Sequence, residues 1–223
     1  FENVIGGTFL EGGCCIRFSG TVKNLGVILD RHLTLEPHIK SIVSHCYKLL
    51  SDIGRIRSVL TNKQTESLVH SVISSRLDYC NSLFLGLNKS IINKLQKVQN
   101  AAARLILKKR KRTSIRSDIK DLHWLRVDQR IMFKTLLLVY KCINAIAPDE
   151  LKSLIQVNPD KPQILVTPTF KTTHGRRSFQ YNAPYLWNHL PEDIKKSMSL
   201  DNFKSKLKTF LFMYYDEFMA DVN

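Results

Sequence analysis

Hydrophobic residues recur every three or four positions over most of the chain, a pattern typical of amphipathic helices. The spacing predicts long helices over residues 34–54, 89–109 and 128–145, and another that begins at the capping-box sequence of residues 61–64. The segment 128–145 is apolar nearly all round, so we expect its helix to lie at the centre of a bundle.

Short apolar stretches precede these helices. Residues 14–18 form a short apolar run, and residues 22–30 are rich in β-branched residues. Ser19 and Gly20 between the two segments form a turn signal, so we predict a hairpin. Gly26 falls inside the second predicted strand, where glycine is expected only if another backbone comes close. The predicted fold is therefore mainly α, a helical bundle preceded by a short β-hairpin.

The composition changes near residue 157. Residues 157–175 are rich in proline and threonine, which predicts a loop or an extended segment before a final helix capped by Ser199 or Asp201. We therefore expect three parts along the chain: 1–33 with the hairpin, 34–156 as a helical domain, and 157–223 as a C-terminal extension.

Basic residues far outnumber acidic ones. The 223 residues include 34 Lys and Arg against 19 Asp and Glu, a formal net charge of +15. Nucleic acid and anionic membrane surfaces are the usual partners of such a surplus, and a solubilising surface is the alternative. The cations are spread over many segments rather than gathered opposite one apolar face, which favours a long polyanion. No apolar run approaches the length of a membrane span, and we expect no membrane partner.

The helix predicted over 89–109 carries a basic stripe and runs into five consecutive cations. A continuous basic ridge can follow a duplex backbone and hold phosphates without reading sequence. A solvated turn and a nuclear-import signal are the alternatives for the run itself. A second basic turn, at residues 176–177, comes before the next aromatic cluster. The candidate nucleic-acid-binding residues are Lys94, Lys97, Arg104, Lys108, Lys109, Arg110, Lys111, Arg112, Arg116, Arg126, Arg130, Arg176 and Arg177.

Four aromatic residues follow the second basic turn, and those of interest are Phe179, Tyr185 and Trp187. Aromatic side chains next to cations can stack on unpaired bases. The alternative, which we favour, is that they anchor the final helix in the core.

The sequence contains no hydrolase nucleophile elbow, phosphate-binding loop, paired metal carboxylates or zinc-binding helix motif. Asp78 stands alone, and we expect an ion pair with Arg76. The five cysteines are odd in number and lack a C-x-x-C pair, which favours a reducing intracellular compartment, nuclear or cytoplasmic. Cys46 and Cys80 are expected to be buried thiols. We expect no catalytic residue, metal site or cofactor in this chain.

Seven short segments carry a family resemblance when they are taken in order. They are NLGVILD (24–30), SRLDYCN (75–81), LQKVQNAAAR (95–104), LHWL (122–125), RSF (177–179), APYLWNHLP (183–191) and FKSKLK (203–208). Together they resemble the reverse transcriptases of non-LTR retrotransposons (LINE elements) of the jockey-like and chicken-repeat-like groups. The first segment resembles the primer-grip strand that closes the palm. The next three are similar to the thumb region, and the last three to the C-terminal region.

This resemblance implies a role in holding nucleic acid rather than an activity of this chain alone. The family's aromatic-Ala-Asp-Asp motif, which holds Mg²⁺ in the palm, lies upstream of the primer grip and does not occur here. The chain opens at Phe1 without a signal-peptide pattern, and we expect a fragment whose palm and fingers precede it. The implied partners are RNA and RNA–DNA or DNA duplex. The implied primer-grip residues are Asn24, Leu25, Gly26 and Val27.

Two rival interpretations stay open at the level of sequence. One is a stand-alone helical module that binds RNA or protein, and the other is a non-functional retrotransposon remnant. One position departs from the family pattern, because Arg126 stands where a proline usually follows the His-Trp-Leu run.

Overall fold

A computed structural model of the chain describes residues 19–222 and, before them, the backbone of three short strands. These strands, β1 (Val4–Ile5), β2 (Thr8–Glu11) and β3 (Cys14–Arg17), form an antiparallel sheet in the order β1-β2-β3. The side chains of this sheet lie outside the described residues.

A separate two-stranded hairpin follows, formed by β4 (Thr21–Asn24) and β5 (Val27–Asp30). Its turn consists of Leu25 and Gly26, with φ values of 45° and 84°, so both turn residues are left-handed, as a tight two-residue hairpin requires. Gly26 therefore makes the turn and is not inside a strand. The predicted pairing of segments 14–18 and 22–30 around Ser19 and Gly20 was wrong, since β3 pairs with β2 and β4 pairs with β5.

Helices make up most of the remaining chain, which confirms the mainly α prediction with a short hairpin before the bundle. Their bounds are α1 Glu36–Ile56, α2 Asn62–Val69, a π-helical turn His70–Ser74, α3 Ser75–Asp78, a 3₁₀ turn Asn81–Phe84, α4 Lys89–Ile106, α5 Arg116–Asp121, α6 Val127–Ile143, α7 Asp149–Lys152, α8 Thr173–Arg177, α9 Phe179–Asn188, α10 Glu192–Lys195 and α11 Leu200–Val222.

Local signals for helix ends succeeded in some places and failed in others. The capping box at the start of α2 is present, because the Gln64 amide donates to Thr61 Oγ1 at 3.2 Å and the Thr61 amide donates to Gln64 Oε1 at 2.9 Å. Gly54, predicted to end the first helix, lies inside α1. Helix α9 was not predicted, and it contains Pro184, whose ring lies in the buried face of that helix.

Two hydrophobic cores are built along the chain. The first joins the hairpin with α1, α2 and α4, and the second joins α6, α9 and α11. Helix α6 contributes Val127 and Ile131 to the first core and Met132 and Leu136 to the second. This double contribution confirms the prediction that the helix lies at the centre of the bundle.

The described cysteines are thiols. Cys46 and Cys142 are buried, whereas Cys80 is only partly buried, so the prediction of a buried thiol is confirmed for Cys46 alone of the two. Burial raises the pKa of Cys46 to about 11, which keeps this thiol protonated. Within residues 19–222, no helix is both long enough and apolar enough to cross a membrane.

Candidate nucleic-acid interface

The four candidate primer-grip residues form the tip of the β4–β5 hairpin. Val27 is buried in the first core, while Leu25 projects with 83% of its surface exposed. The Tyr79 hydroxyl donates a hydrogen bond of 2.6 Å to the Leu25 carbonyl. The tip is thus held against the end of α3 by a residue of segment 75–81, while Asn24, Leu25 and Gly26 stay exposed.

Lys94, the first member of the predicted stripe, is engaged by an acid of another helix. Its Nζ lies 2.8 Å from Glu36 Oε1 at the start of α1, and Lys40 approaches the same carboxylate at 3.4 Å. The hydrogen bond from Lys94, together with the charge of Lys40, lowers the pKa of Glu36. Lys94 is therefore neutralised by the chain's own acid.

Arg104 is engaged in a different way. Its Nε and Nη2 donate to the Thr113 carbonyl at 3.2 and 3.0 Å. Because a carbonyl carries no formal charge, these bonds leave the positive charge of Arg104 without an acid. They fold the segment after α4 back onto the helix.

Arg57, which sequence reasoning missed, determines where α4 ends. It is only 7% exposed, and its guanidinium donates to the carbonyls of Leu105 at 2.8 Å and Ile106 at 2.7 Å, and also to Leu60 and Asn62. The last carbonyls of a helix lack partners within the helix, and a cation there also complements the helix dipole. The contacts join residues 48 and 49 positions apart, so no local signal could have revealed them.

The run of five cations lies beyond the end of α4, and we call Lys108–Arg112 the basic loop. The helix ends at Ile106 rather than at Lys109, and Lys108 adopts a left-handed conformation with φ of 53°. Lys109 makes an ion pair with Asp118 of α5. The other four side chains of the basic loop are exposed.

Five candidate cations have no acid and no hydrogen-bond partner for their side chains among the described residues. Four belong to the basic loop and the fifth is Lys97, which is exposed on α4 two turns before Arg104. We call them the unpaired cations: Lys97, Lys108, Arg110, Lys111 and Arg112. The predicted ridge is therefore present in part, with Lys94 and Lys109 removed from it by ion pairs.

The side chains of Arg126 and Arg116 both contact α11. The Arg126 guanidinium donates to both oxygens of Asp128 at 2.6 and 3.2 Å, lies 3.5 Å from Asp216, and stacks over the Tyr215 ring at 5.3 Å. The hydrogen bond with Asp128 raises the pKa of Arg126. Arg116 reaches the same Asp216 at 3.7 Å. Arg126 also forms the N-cap of α6.

Arg130 holds α6 to α3 through Asp78. Its Nε donates to Asp78 Oδ1 at 2.7 Å and its Nη2 contacts Oδ2, so the pair is bidentate. The predicted ion pair between Asp78 and Arg76 was wrong. Asn81 also donates to Asp78 Oδ1 at 3.3 Å.

The second basic turn serves to hold α8 in place. Arg177 donates to the Leu33 carbonyl at 2.6 Å, and Arg176 donates to the Phe170 carbonyl at 3.2 Å. Trp187 is 4% exposed and packs against Phe203 of α11, so the core role is confirmed for Trp187. Phe179 packs against the second core while only partly buried, and Tyr185 instead packs beside Tyr181 and His189.

No group of three His, Cys, Asp or Glu side chains that could hold a metal ion occurs among the residues that the structure describes. Comparisons of the chain with protein families, with curated proteins and with solved structures find no match. The resemblance to LINE reverse transcriptases therefore stays a prediction from the sequence.

Proposed function

We propose that the chain binds a nucleic-acid duplex through the unpaired cations and positions it by its phosphates. The observation that carries this proposal is the absence, within the described residues, of any acid or hydrogen-bond partner for these five side chains. Four of the five are consecutive or nearly so beyond the end of α4. They can neutralise neighbouring phosphates along one stretch of backbone.

Such binding is independent of base sequence and sensitive to salt, because each neutralised phosphate releases condensed counterions. An A-form RNA–DNA hybrid presents a backbone that proteins recognise by shape and phosphates. The wider proposal is that the chain is the thumb and C-terminal portion of a LINE-type RNA-directed DNA polymerase. It would grip the primer–template duplex and the element RNA, with Asn24–Val27 supporting the primer end. The ordered family segments support this wider proposal.

A stand-alone helical RNA-binding module is the second candidate. It is favoured by one observation, namely that α6 joins two apolar cores within this chain, which favours cooperative folding without a further domain. A reading frame that encodes an aromatic-Ala-Asp-Asp motif upstream of Phe1 would support the polymerase portion over the separate module. A thermal melt of the chain without a cooperative transition would instead favour a non-functional remnant.

The test changes Lys108, Arg110, Lys111 and Arg112 together to Gln and measures binding to an RNA–DNA hybrid at one fixed salt concentration. The matched control changes four other exposed lysines, Lys48, Lys63, Lys161 and Lys171, to Gln, so that the net charge falls equally. We expect the loop variant to bind roughly 30-fold more weakly on hybrids of any sequence, and the control to stay within about threefold of the parent. Equal losses in the two variants would show only a net-charge effect and would contradict the proposal.

A further inference from the structure

A cleft of about 670 Å³ opens next to the basic loop, bounded by α4, α5, the start of α6 and α11. Ser114 and Ile115, which follow the basic loop along the chain, line one edge of this cleft. Its apolar lining includes Ile119, Trp124 and Phe212. The volume is in the range of small-ligand sites, which are mostly apolar with a few placed polar groups.

One polar group of the cleft is fixed by a network of amides. The Val127 amide donates to Gln96 Oε1 at 2.9 Å, and Gln96 Nε2 donates to Gln99 Oε1 at 2.9 Å and to Asn100 Oδ1 at 2.8 Å. Gln99, 3% exposed, completes the network by donating to the Leu125 carbonyl at 2.8 Å. Since Asn100 already uses its oxygen, it presents Nδ2 as a donor without a partner in the described part of the chain.

The charge of the cleft lining is strongly positive. Four cations line it against one acid, Asp128, which Arg126 already holds in a bidentate contact. Lys120 has no ion pair within the described residues, and Arg116 reaches Asp216 only at 3.7 Å with its side chain largely exposed. Both cations can therefore approach an anion at the mouth of the cleft.

An apolar floor with aromatic rings, a fixed donor and a basic mouth together suit a nucleoside phosphate. We propose that the cleft holds one unpaired nucleotide of a bound strand, with its base on the floor, an acceptor of the base at Asn100 Nδ2, and its phosphate at Arg116 and Lys120. That this nucleotide belongs to a bound strand rests on the proposed function. An acidic peptide would use the basic mouth, but its acidic side chains bring no ring to stack on the aromatic floor.

The two tryptophans provide an internal control, because each is buried in one of the two cores but of the two only Trp124 also lines the cleft. The experiment titrates the ¹⁵N-labelled chain with adenosine 5′-monophosphate, ribose 5-phosphate and inorganic phosphate and follows both indole N–H signals. We expect the mononucleotide to shift the Trp124 signal alone, with a Kd at least about tenfold below that of ribose 5-phosphate, because base stacking and the Asn100 contact are absent from the sugar phosphate. Asn100→Leu should raise the Kd of the mononucleotide about fivefold and leave that of ribose 5-phosphate unchanged. Asn202→Leu, an exposed change on α11 outside the cleft, should change neither.

Four outcomes would overturn the inference. Equal affinities for the mononucleotide and ribose 5-phosphate would reduce the cleft to an anion contact. An unshifted Trp124 signal would exclude the base from the floor, and displacement of the mononucleotide by a tighter-binding acidic peptide would assign the cleft to a protein partner. A trinucleotide that binds more tightly than the mononucleotide supports a strand as the source, and the reverse order would overturn it. Because no duplex is used, these results are separate from the test of the basic loop.

Discussion

The cations that contact an acid of another element and the unpaired cations of the basic loop differ in what packs opposite them. Lys94, Arg126 and Arg130 each contact an acid of another element, namely Glu36 of α1, Asp216 of α11 and Asp78 of α3. The basic loop extends beyond the end of α4, and four of its side chains meet no acid among the described residues. The partner of a cation is thus decided by the neighbouring element and not by the stripe on its own helix.

This difference predicts opposite consequences of substitution. A partly buried cation that loses its contacts leaves unsatisfied groups behind, which costs stability. An exposed cation without a partner contributes little to stability. The two groups can therefore be separated by measuring unfolding and binding on the same variants.

The largest effect on stability is expected at Arg57. This buried cation holds the end of α4, just before the basic loop begins. Arg57→Met removes the guanidinium donors to the carbonyls of Leu105, Ile106 and Leu60. We expect a loss of about 3 kcal/mol in the free energy of unfolding, measured by chemical denaturation. Arg55→Met, on an exposed side chain two residues earlier, is the control and should change stability by less than about 0.5 kcal/mol. A similar small loss at Arg57 would show that the cap does not hold the helix end.

The next effect in size is expected at the bidentate pair between α6 and α3. Arg130→Ala leaves Asp78, which is partly buried, without its cation, and we expect a loss of about 2 kcal/mol in unfolding free energy. Arg76→Ala, the partner expected from sequence, should change it by less than about 0.5 kcal/mol because no ion pair joins Arg76 to Asp78 among the described contacts. If Arg76→Ala proved the more damaging of the two, the assigned pairing would be refuted.

Lys94 and Lys97 provide a sharper comparison, since they lie one turn apart on the same helix. Lys94→Gln breaks the contact with Glu36 and should lower the unfolding free energy by about 0.5 kcal/mol, the usual size for a partly exposed pair. Lys97→Gln should leave stability unchanged and weaken duplex binding about threefold, through one lost phosphate contact. Chemical denaturation measures the stability of both variants, and fluorescence anisotropy measures their binding to the duplex. If both substitutions affect the same property, the distinction between the two lysines fails.

The smallest effect concerns acid pH and Asp30, the last residue of β5. Desolvation alone would raise the pKa of Asp30, but hydrogen bonds from the backbone of Thr34 and Leu35 and from the Thr34 hydroxyl outweigh it and lower the pKa below the ordinary 3.8. The stabilisation is therefore present above that value and is lost as the pH falls through the folded-state pKa. Asp30→Asn should melt at a lower temperature than the parent at neutral pH, with the difference shrinking below about pH 4. A constant difference down to pH 2 would show that the carboxylate charge is not involved.

The features that sequence could predict are those set by nearby residues. The capping box at Thr61, the central place of the helix at 127–143 and the mainly α class follow from local pattern and were confirmed. The turn at Gly26 could not be placed, because it depends on which strands pair. The partners of Asp78 and the contacts of Arg57 join residues about 50 positions apart, and helix α9 forms around Pro184 only where a buried face supports it.

The same distinction applies to the candidate interface. The run at Lys108–Arg112 is visible as consecutive letters, and its exposure follows from the end of α4. Which members of the ridge stay unpaired could not be predicted, since the acids that engage Lys94 and Lys109 come from α1 and α5. The segments that resemble the LINE reverse transcriptases predict a role in holding nucleic acid, and this role stays a prediction until binding is measured.

The salt dependence of duplex binding tests the central claim most directly. For the parent chain, the loop variant with four cations changed to Gln, and the matched surface variant, the logarithm of the binding constant is measured against the logarithm of salt concentration. Unpaired cations on phosphates predict that the slope of the loop variant is smaller in magnitude by about 3, while the slope of the surface variant equals that of the parent. Parallel lines for the parent and the loop variant would contradict the account, because the basic loop would then neutralise no phosphate.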